Sequence, residues 1–437
     1  MLIKTRARLG AIAALVAIEE DDAILGAALD KQNLGEALGF AREISSGVLR
    51  HRARLDWTIA PLLKKPLEKL DAPVRAALRL GLYERIGLQT HIAVVADEYA
   101  GAMRAFGHKY AVGFVNAVSR RLPAEWREVH PRWPRARQMA TEFSHPPWLV
   151  ERWLEIFGES DCAALLQKNN ERAPLSLRVN TLRASRDEVR DALVERGLKA
   201  RDSEVARDAI IVEDAGSPLG WPEWTSGKII AQDEAAQSVS QFLDPQPSWK
   251  IADVAAAPGG KTTHLAQLMN DKGTVLACDI APGRIKLIEQ NAARLGLKSV
   301  QTRVGDWREV MKSTPEYRRT FDAVLLDAPC LGTGTLRRRP DAKWKKTRGQ
   351  LEELVVLQRE LLDAASSAVK PGGVLVYATC SLEREENQDQ ASAFLQRNLS
   401  FETDGGINRA NAGDVLQTLP QRDGCDGAFA ARFRRKI

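Results

Sequence analysis

From Ser248 onward, short apolar runs alternate with amphipathic stretches, and this alternation restricts the fold more than any other feature of the chain. The runs are IADVA (251–255), TVLAC (274–278), VQTRV (300–304), FDAVLLD (321–327) and GVLVYAT (373–379). Between them, Ile285, Ile288, Ala292 and Leu295 are spaced for one face of a helix. Continuously apolar strands separated by helices imply a mostly parallel sheet covered on both faces. In open α/β sheets of this kind, ligands sit at the carboxyl ends of the strands. Chemistry is therefore expected where those runs end.

The 437 residues are too many for one ordinary core, and the period changes upstream. Residues 1–128 read as all-helical. Val74, Ala77, Leu78, Gly81 and Leu82 follow the spacing of a buried helix face, as do Val95, Tyr99, Ala102, Met103 and Phe106. Pro131, Pro134, Pro146 and Pro147 predict a linker over 129–147. Residues 148–245 mix helix and strand and predict a small α+β domain. LSLRVNTLR (175–183) alternates like a strand, a helix is expected from Ser185, its cap, to Arg196, and IIV (210–212) is a short strand. The strand–helix domain fills 246–437.

Composition narrows the function classes. Apolar residues make up 44% and charged residues 27%, a globular balance. No apolar run reaches the ~18 residues of a membrane span. The stretch from Leu9 to Ile18 runs into Glu19, Glu20, Asp21 and Asp22 with no small-residue cleavage pattern, so it reads as a helix of a cytoplasmic protein. Cys162, Cys278, Cys330, Cys380 and Cys425 are odd in number and scattered, which argues against a disulfide scaffold or a zinc site; no metal is expected. The net charge of +6 says little, but between Arg337 and Arg348 seven basic residues face one acid, an excess of 7 − 1 = +6. That run suits either a polyanion or a solvated loop.

The first apolar strand ends in Asp253-Val-Ala-Ala-Ala-Pro-Gly-Gly-Lys261-Thr-Thr-His264. Small residues and paired glycines at a strand-to-helix turn let backbone N–H groups approach a ligand closely. The P-loop is excluded because Ala255 stands where it needs glycine, and the G-x-G-x-x-G dinucleotide fingerprint is absent. Asp279 follows the second strand, 19 residues after Gly260, where an acid accepts from both hydroxyls of a ribose. Asp306 follows the third strand, placed for an adenine amine. Together they fit a nucleoside without a polyphosphate. The fourth strand ends in Asp327-Ala328-Pro329-Cys330 and the fifth in Ala378-Thr379-Cys380-Ser381, so two cysteines meet one cleft edge. A thiolate is the nucleophile that adds to an electron-poor ring, although buried cysteines are commonly inert.

AAAPGGKTTH, DAPC, RRRPDAKW and YATCS together resemble the motif set of RNA cytosine-5 methyltransferases that use S-adenosylmethionine. Arg178-Val-Asn-Thr-Leu182 and SHPPWLVERW (144–153) resemble the segment ahead of that domain. AREISSGVLRHRARLD, LRLGLYERI and GFVNAVSRRL resemble the NusB-like RNA-binding helical fold. The combination is similar to the RsmB (Sun, Fmu) family, which methylates 16S ribosomal RNA. Ala255 stands where that family usually has cysteine, and Gly427-Ala428-Phe429-Ala430 where a second aromatic is commoner. Little effect is expected from either.

The resemblance implies a Rossmann-like methyltransferase domain behind a NusB-like one, acting in rRNA processing to make 5-methylcytosine. It implies that Cys380 adds to carbon 6 of cytosine, Asp327 bonds the base edge and Cys330 helps release. It implies that Ala255, Ala256, Ala257, Pro258, Gly259, Gly260 and Lys261 hold the methionine end of the cofactor, with Arg284 and Asp327 lining the same site. Asp279 is then the ribose ligand and Asp306 the adenine ligand. Arg337, Arg338, Arg339, Lys343, Lys345 and Lys346 are expected on RNA phosphates, with Trp344 stacking on a base or packing. The expected partner is 16S rRNA, with no membrane and no oligomer beyond a monomer. A tRNA or DNA cytosine-5 methyltransferase and a non-enzymatic RNA-binding assembly or antitermination factor are the alternatives. Thr379-Cys380 speaks against the DNA type, and the cofactor turn with paired cysteines against the last.

Overall fold

The computed structural model describes residues 3–405 and 415–437. The chain forms two compact units. One contains the residues up to Glu171 together with Leu336–Lys345; the other contains Arg172–Thr335 and Lys346–Ile437.

The first unit is helical. Its core joins Ile12, Leu29, Ile44, Leu78, Val95, Tyr99, Met103 and Val115. The apolar stretch near the N-terminus lies in the helix Ile3–Glu20, which buries Ala7, Ala11, Ile12 and Leu15. The helix Ala72–Gly87 begins beside a proline, which suits the first turn, and is buried on nearly every side. Its polar residues are therefore paired: Arg8 Nε donates to Glu84 Oε1 at 2.8 Å, Tyr99 OH donates to the same oxygen at 2.6 Å, and Arg79 Nε donates to Asp56 Oδ1 at 2.7 Å. The expected linker is partly helical. Arg135–Glu142 forms a helix directly after Pro134. Prolines that flank a helix do not break it, because the first turn has no use for their missing N–H groups. The following helical segment, Pro147–Asn170, breaks at Gly158 (φ +75°) and packs with this unit.

The second unit holds two sheets. The smaller is antiparallel in the order β2-β3-β1-β4, from β1 (Leu175–Val179), β2 (Lys199–Asp202), β3 (Ala209–Glu213) and β4 (Ile229–Ala231). Ser185 caps the helix Arg186–Glu195, its hydroxyl accepting from Glu188 N while the Glu188 carboxylate accepts from Ser185 N. The larger sheet contains β5 (Lys250–Val254), β6 (Thr274–Asp279), β7 (Val300–Val304), β8 (Phe321–Asp327), β9 (Val369–Thr379), β10 (Phe401–Thr403), β11 (Val415–Thr418) and β12 (Ala428–Arg435). Its order is β10-β12-β9-β8-β5-β6-β7, with β11 also on β12. The five strands β5 to β9 pair in parallel, and β12 runs antiparallel to β9. Ile251, Val324, Leu325, Val376 and Ala378 are fully buried, as a sheet covered on both faces requires. β5 has β6 on one side and β8 on the other, so the chain reverses direction of travel there. That is the switch point where strand ends splay to open a crevice.

Candidate active site

The turn after β5 is shaped by small residues. Ala255 lies in left-handed backbone at φ +59°, and Gly259 at φ +93° precedes the helix Gly260–Leu268. A Cβ on Gly259 would lie 3.1 Å from Ile288 Cα, so glycine serves both the angle and the space. Asp279, at the end of β6, is buried, and its carboxylate is aimed by the backbone. Ala257 N donates to Oδ2 and Ala281 N to Oδ1, each at 3.1 Å. Arg284 Nη2 donates to Ala257 O at 2.8 Å, and its Nη1 stands 3.7 Å from Asp279 Oδ1. Asp306 sits less freely. It caps the helix Trp307–Ser313, and both its oxygens are held by Arg308, closest at 2.6 Å. A ligand amine at Asp306 has to compete with that guanidinium.

At the ends of β8 and β9 the cationic and thiol groups converge. Lys261 Nζ donates to Asp327 Oδ2 at 2.6 Å. Burial opposes the charge on Lys261, but the Asp327 carboxylate outweighs it and raises the ammonium above its ordinary value. Cys330 and Cys380 are free and half-buried, with their sulfurs 3.4 Å apart. Cys380 N donates to Cys330 Sγ at 3.3 Å. The hydrogen bond between the thiols pushes Cys330 well up and brings Cys380 down, and Lys261 adds to the lowering. Either sulfur can donate in that contact. The backbone beside Cys380 is fixed by close packing. Gly334 N donates to Cys380 O and Gly427 N to Gly334 O, each at 2.9 Å, and a Cβ on Gly334 would meet Gly427 O at 2.3 Å. Cys162, Cys278 and Cys425 are buried, and burial raises all three thiols.

Two residues matter more than their sequence suggests. Arg178, fully buried on β1, donates from Nη1 to Gly260 O at 2.6 Å and from Nη2 to Thr263 Oγ1 at 2.9 Å. It clamps the start of the helix Gly260–Leu268 from the smaller sheet. An arginine inside an apolar strand is the signal that could have found it. Asp253, on β5 and fully buried, accepts from Thr262 Oγ1 at 2.6 Å. Burial, and behind it Asp327 and Asp279, push its carboxyl up to about 7.

The basic run from Arg337 has a different setting from the one its charge suggests. Its first nine residues pack within the helical unit. Lys343 is fully buried, and its amine donates to Arg50 O at 3.0 Å and Asn170 Oδ1 at 2.8 Å. Trp344 Nε1 donates to Leu49 O at 2.7 Å. Lys345 bonds Asp22 O and Ala23 O and pairs with the Asp22 carboxylate at 2.6 Å. Arg337 is buried, 3.4 Å from Glu171. Lys343 is thus held as a packing lysine, and Trp344 is half-buried with its indole N–H satisfied. Arg338 and Lys346 are half-buried and Arg339 is exposed. Among the described residues, no group of three or more His, Cys, Asp or Glu could hold a metal ion, and no helix is long and apolar enough to cross a membrane.

Known proteins resemble this chain along its length. A model of the 16S rRNA methyltransferase RsmB/F family matches residues 240–434, a model of the RsmF/B-like ferredoxin-like domain matches 145–217, and the NusB family model matches 5–123. The probable ribosomal RNA small subunit methyltransferase B of Bacillus subtilis (strain 168) is 32% identical over 451 residues, spanning 99% of each chain. The chain belongs to the RsmB family of rRNA methyltransferases. Ribosomal RNA small subunit methyltransferase B of Salmonella newport (strain SL254) is 35% identical over 403 residues, 90% of each chain. Among solved structures, PH0851 superposes with a TM-score of 0.85 at 28% identity over the whole of both chains. NSun6 from Pyrococcus horikoshii, solved with SFG, superposes with a TM-score of 0.60 at 22% identity, covering 66% of this chain and 97% of its own. That second likeness speaks to the fold alone.

For an RsmB-family methyltransferase the implied methyl donor is S-adenosylmethionine, and the residues present fit it. Each Asp279 oxygen accepts one N–H and keeps a lone pair for a ribose hydroxyl. The small side chains of 255–257 and the glycines at 259 and 260 keep the turn low beside Asp279.

Proposed function

We propose that the protein transfers a methyl group to carbon 5 of a cytosine in 16S rRNA through a covalent bond between Cys380 and carbon 6. The observation that carries this is the thiol pair at 3.4 Å just beyond the ends of two neighbouring parallel strands, with the Lys261 charge favouring the anion at Cys380. Bound S-adenosylmethionine supplies an electrophilic methyl on a sulfonium. Carbon 5 of cytosine is too weak a nucleophile to accept it unaided. Addition of the Cys380 thiolate to carbon 6 makes carbon 5 enamine-like. Asp327 keeps Oδ1 for the cytosine amine while Lys261 holds Oδ2. After methylation a base takes the carbon-5 proton and Cys380 leaves as a thiolate, with the Cys330 S–H beside it to stabilise the departing charge. The base must leave its stack to reach both sulfurs. We assign the methionine end of the cofactor to 255–261, its ribose to Asp279, flanked by Arg284, and its adenine to the region of Asp306.

Separate cysteine variants test the reading. With 16S rRNA and S-adenosylmethionine, Cys330→Ala is expected to accumulate a protein–RNA complex that survives denaturing electrophoresis. Cys380→Ala is expected to give neither complex nor product. A trapped complex with Cys380→Ala instead would reverse the roles.

A further inference from the structure

We infer that Gln358 and Glu386 are positioning residues for Cys330, holding the backbone on both sides of its thiol so that it stays against Cys380. This rests on the proposed role of Cys330 in release. The segment Pro329-Cys330-Leu331 lies beyond the end of β8, outside the sheet ladder. Its backbone groups need other partners, and two side chains supply them. Gln358 Nε2 donates to Pro329 O at 2.9 Å, and Leu331 N donates to Glu386 Oε1 at 2.9 Å. The same Gln358 Nε2 donates to Glu386 Oε1 at 2.8 Å, joining the two contacts into one brace. Both side chains are fully buried.

The brace has its own support. Gln358 sits in the long helix Arg348–Ala368, which packs on β8 and β9. Glu386 ends the turn Arg384–Glu386, four residues beyond Ser381-Leu382, and Tyr377 OH on β9 donates to its carbonyl at 2.6 Å. The next residue, Asn387, does for Cys380 what Glu386 does for Cys330. It accepts from Thr379 Oγ1 at 2.5 Å and donates from Nδ2 to Ser381 O at 2.9 Å, so it grips both neighbours of Cys380. Adjacent residues of one turn therefore set the two sulfurs against each other. Burial raises the Glu386 carboxyl above its ordinary value, so this acid is kept at a cost in solvation. A brace that only stapled a loop would affect stability. One that aims Cys330 affects how the covalent complex partitions between formation and release.

Gln358→Leu removes both Nε2 bonds at similar volume, with Gln358→Met as the second variant should the first not fold. In the trapping assay, folded Gln358→Leu is expected to accumulate several-fold more gel-stable complex than wild type, while the complex forms at a rate within about twofold of wild type. Glu386→Gln, which keeps an oxygen for Leu331 N–H, is expected to accumulate less than Glu386→Ala. Adding Gln358→Leu to Cys330→Ala should raise the complex no further, because the brace acts through that thiol. Wild-type complex levels in folded Gln358 variants would overturn the inference. If Cys330→Ala itself traps nothing, the role of Cys330 in release fails, and iodoacetamide labelling decides the brace alone. In a Cys380→Ala background, Gln358→Leu is expected to change the alkylation rate of Cys330 several-fold, and an unchanged rate would refute the positioning.

Discussion

At 3.4 Å the Cys330 and Cys380 sulfurs titrate as a pair, and the proton they share decides which one is the thiolate. The thiol–thiol hydrogen bond is the first cause of the lowering at Cys380. A lowered thiol stays ionised to lower pH, so iodoacetamide labelling of Cys380 is expected to persist below the free-cysteine value of 9.0. Cys330→Ala removes that donor and should move the limb upward. The same limb in both proteins would contradict the pairing. Asp253 gives a second titration with the opposite sign. Its carboxyl keeps a proton up to about 7 in the fold, against the ordinary aspartate value of 3.8 in the unfolded chain. Stability therefore falls as pH rises between those values and stays reduced above them. Asp253→Asn lacks that loss. Urea midpoints at about pH 5 and pH 8 should shift in favour of the variant at the higher pH, and a constant difference would place the titration elsewhere.

Elements carry the next level of the argument, because β5, β6, β8 and β9 deliver their last residues to one edge. These strands were legible as apolar runs, and the turn 255–261 with Asp279 was legible from the small residues and the spacing of the acid. Asp279→Ala is expected to weaken S-adenosylmethionine binding at least tenfold by calorimetry, and equal affinity would count against the ribose assignment. The segment 336–345 was misleading, since its charge masks Leu336, Pro340 and Trp344, the anchors interleaved with the basic residues. Burial of Lys343 has no local sequence signature, because its partners Arg50 and Asn170 lie far away in the chain. Lys343→Ala should leave a cavity and two unpaired acceptors and cost about 2–4 kcal/mol, with no change in the salt dependence of RNA binding. Arg339→Ala should do the reverse and flatten the slope of log K against log salt by about 0.7–0.9. Equal slopes for wild type and Arg339→Ala would place the RNA elsewhere. Gln358 and Glu386 escaped notice for a similar reason: one is a polar residue in an amphipathic helix, the other one acid in the run 383–386.

On the scale of the whole molecule, the helical unit, the smaller antiparallel sheet and the larger mostly parallel sheet follow the order of the three family models along the chain. The mixed region was harder to delimit from sequence. The helical segment Pro147–Asn170 packs with the helical unit, while the ferredoxin-like family model takes it in at 145–217. The antiparallel strands β10 to β12 are short or polar-flanked and carry no periodic signal as strong as the parallel ones. The turn 255–261 and both thiols lie at the carboxyl edge of the larger sheet. The most direct measurement of the central claim is base-resolution mapping of 5-methylcytosine in 16S rRNA incubated with S-adenosylmethionine and purified wild-type or Cys380→Ala protein. One cytosine methylated at carbon 5 by wild type and by no Cys380→Ala sample is the predicted result. Methylation at another atom or base, or an active Cys380→Ala protein, would contradict it.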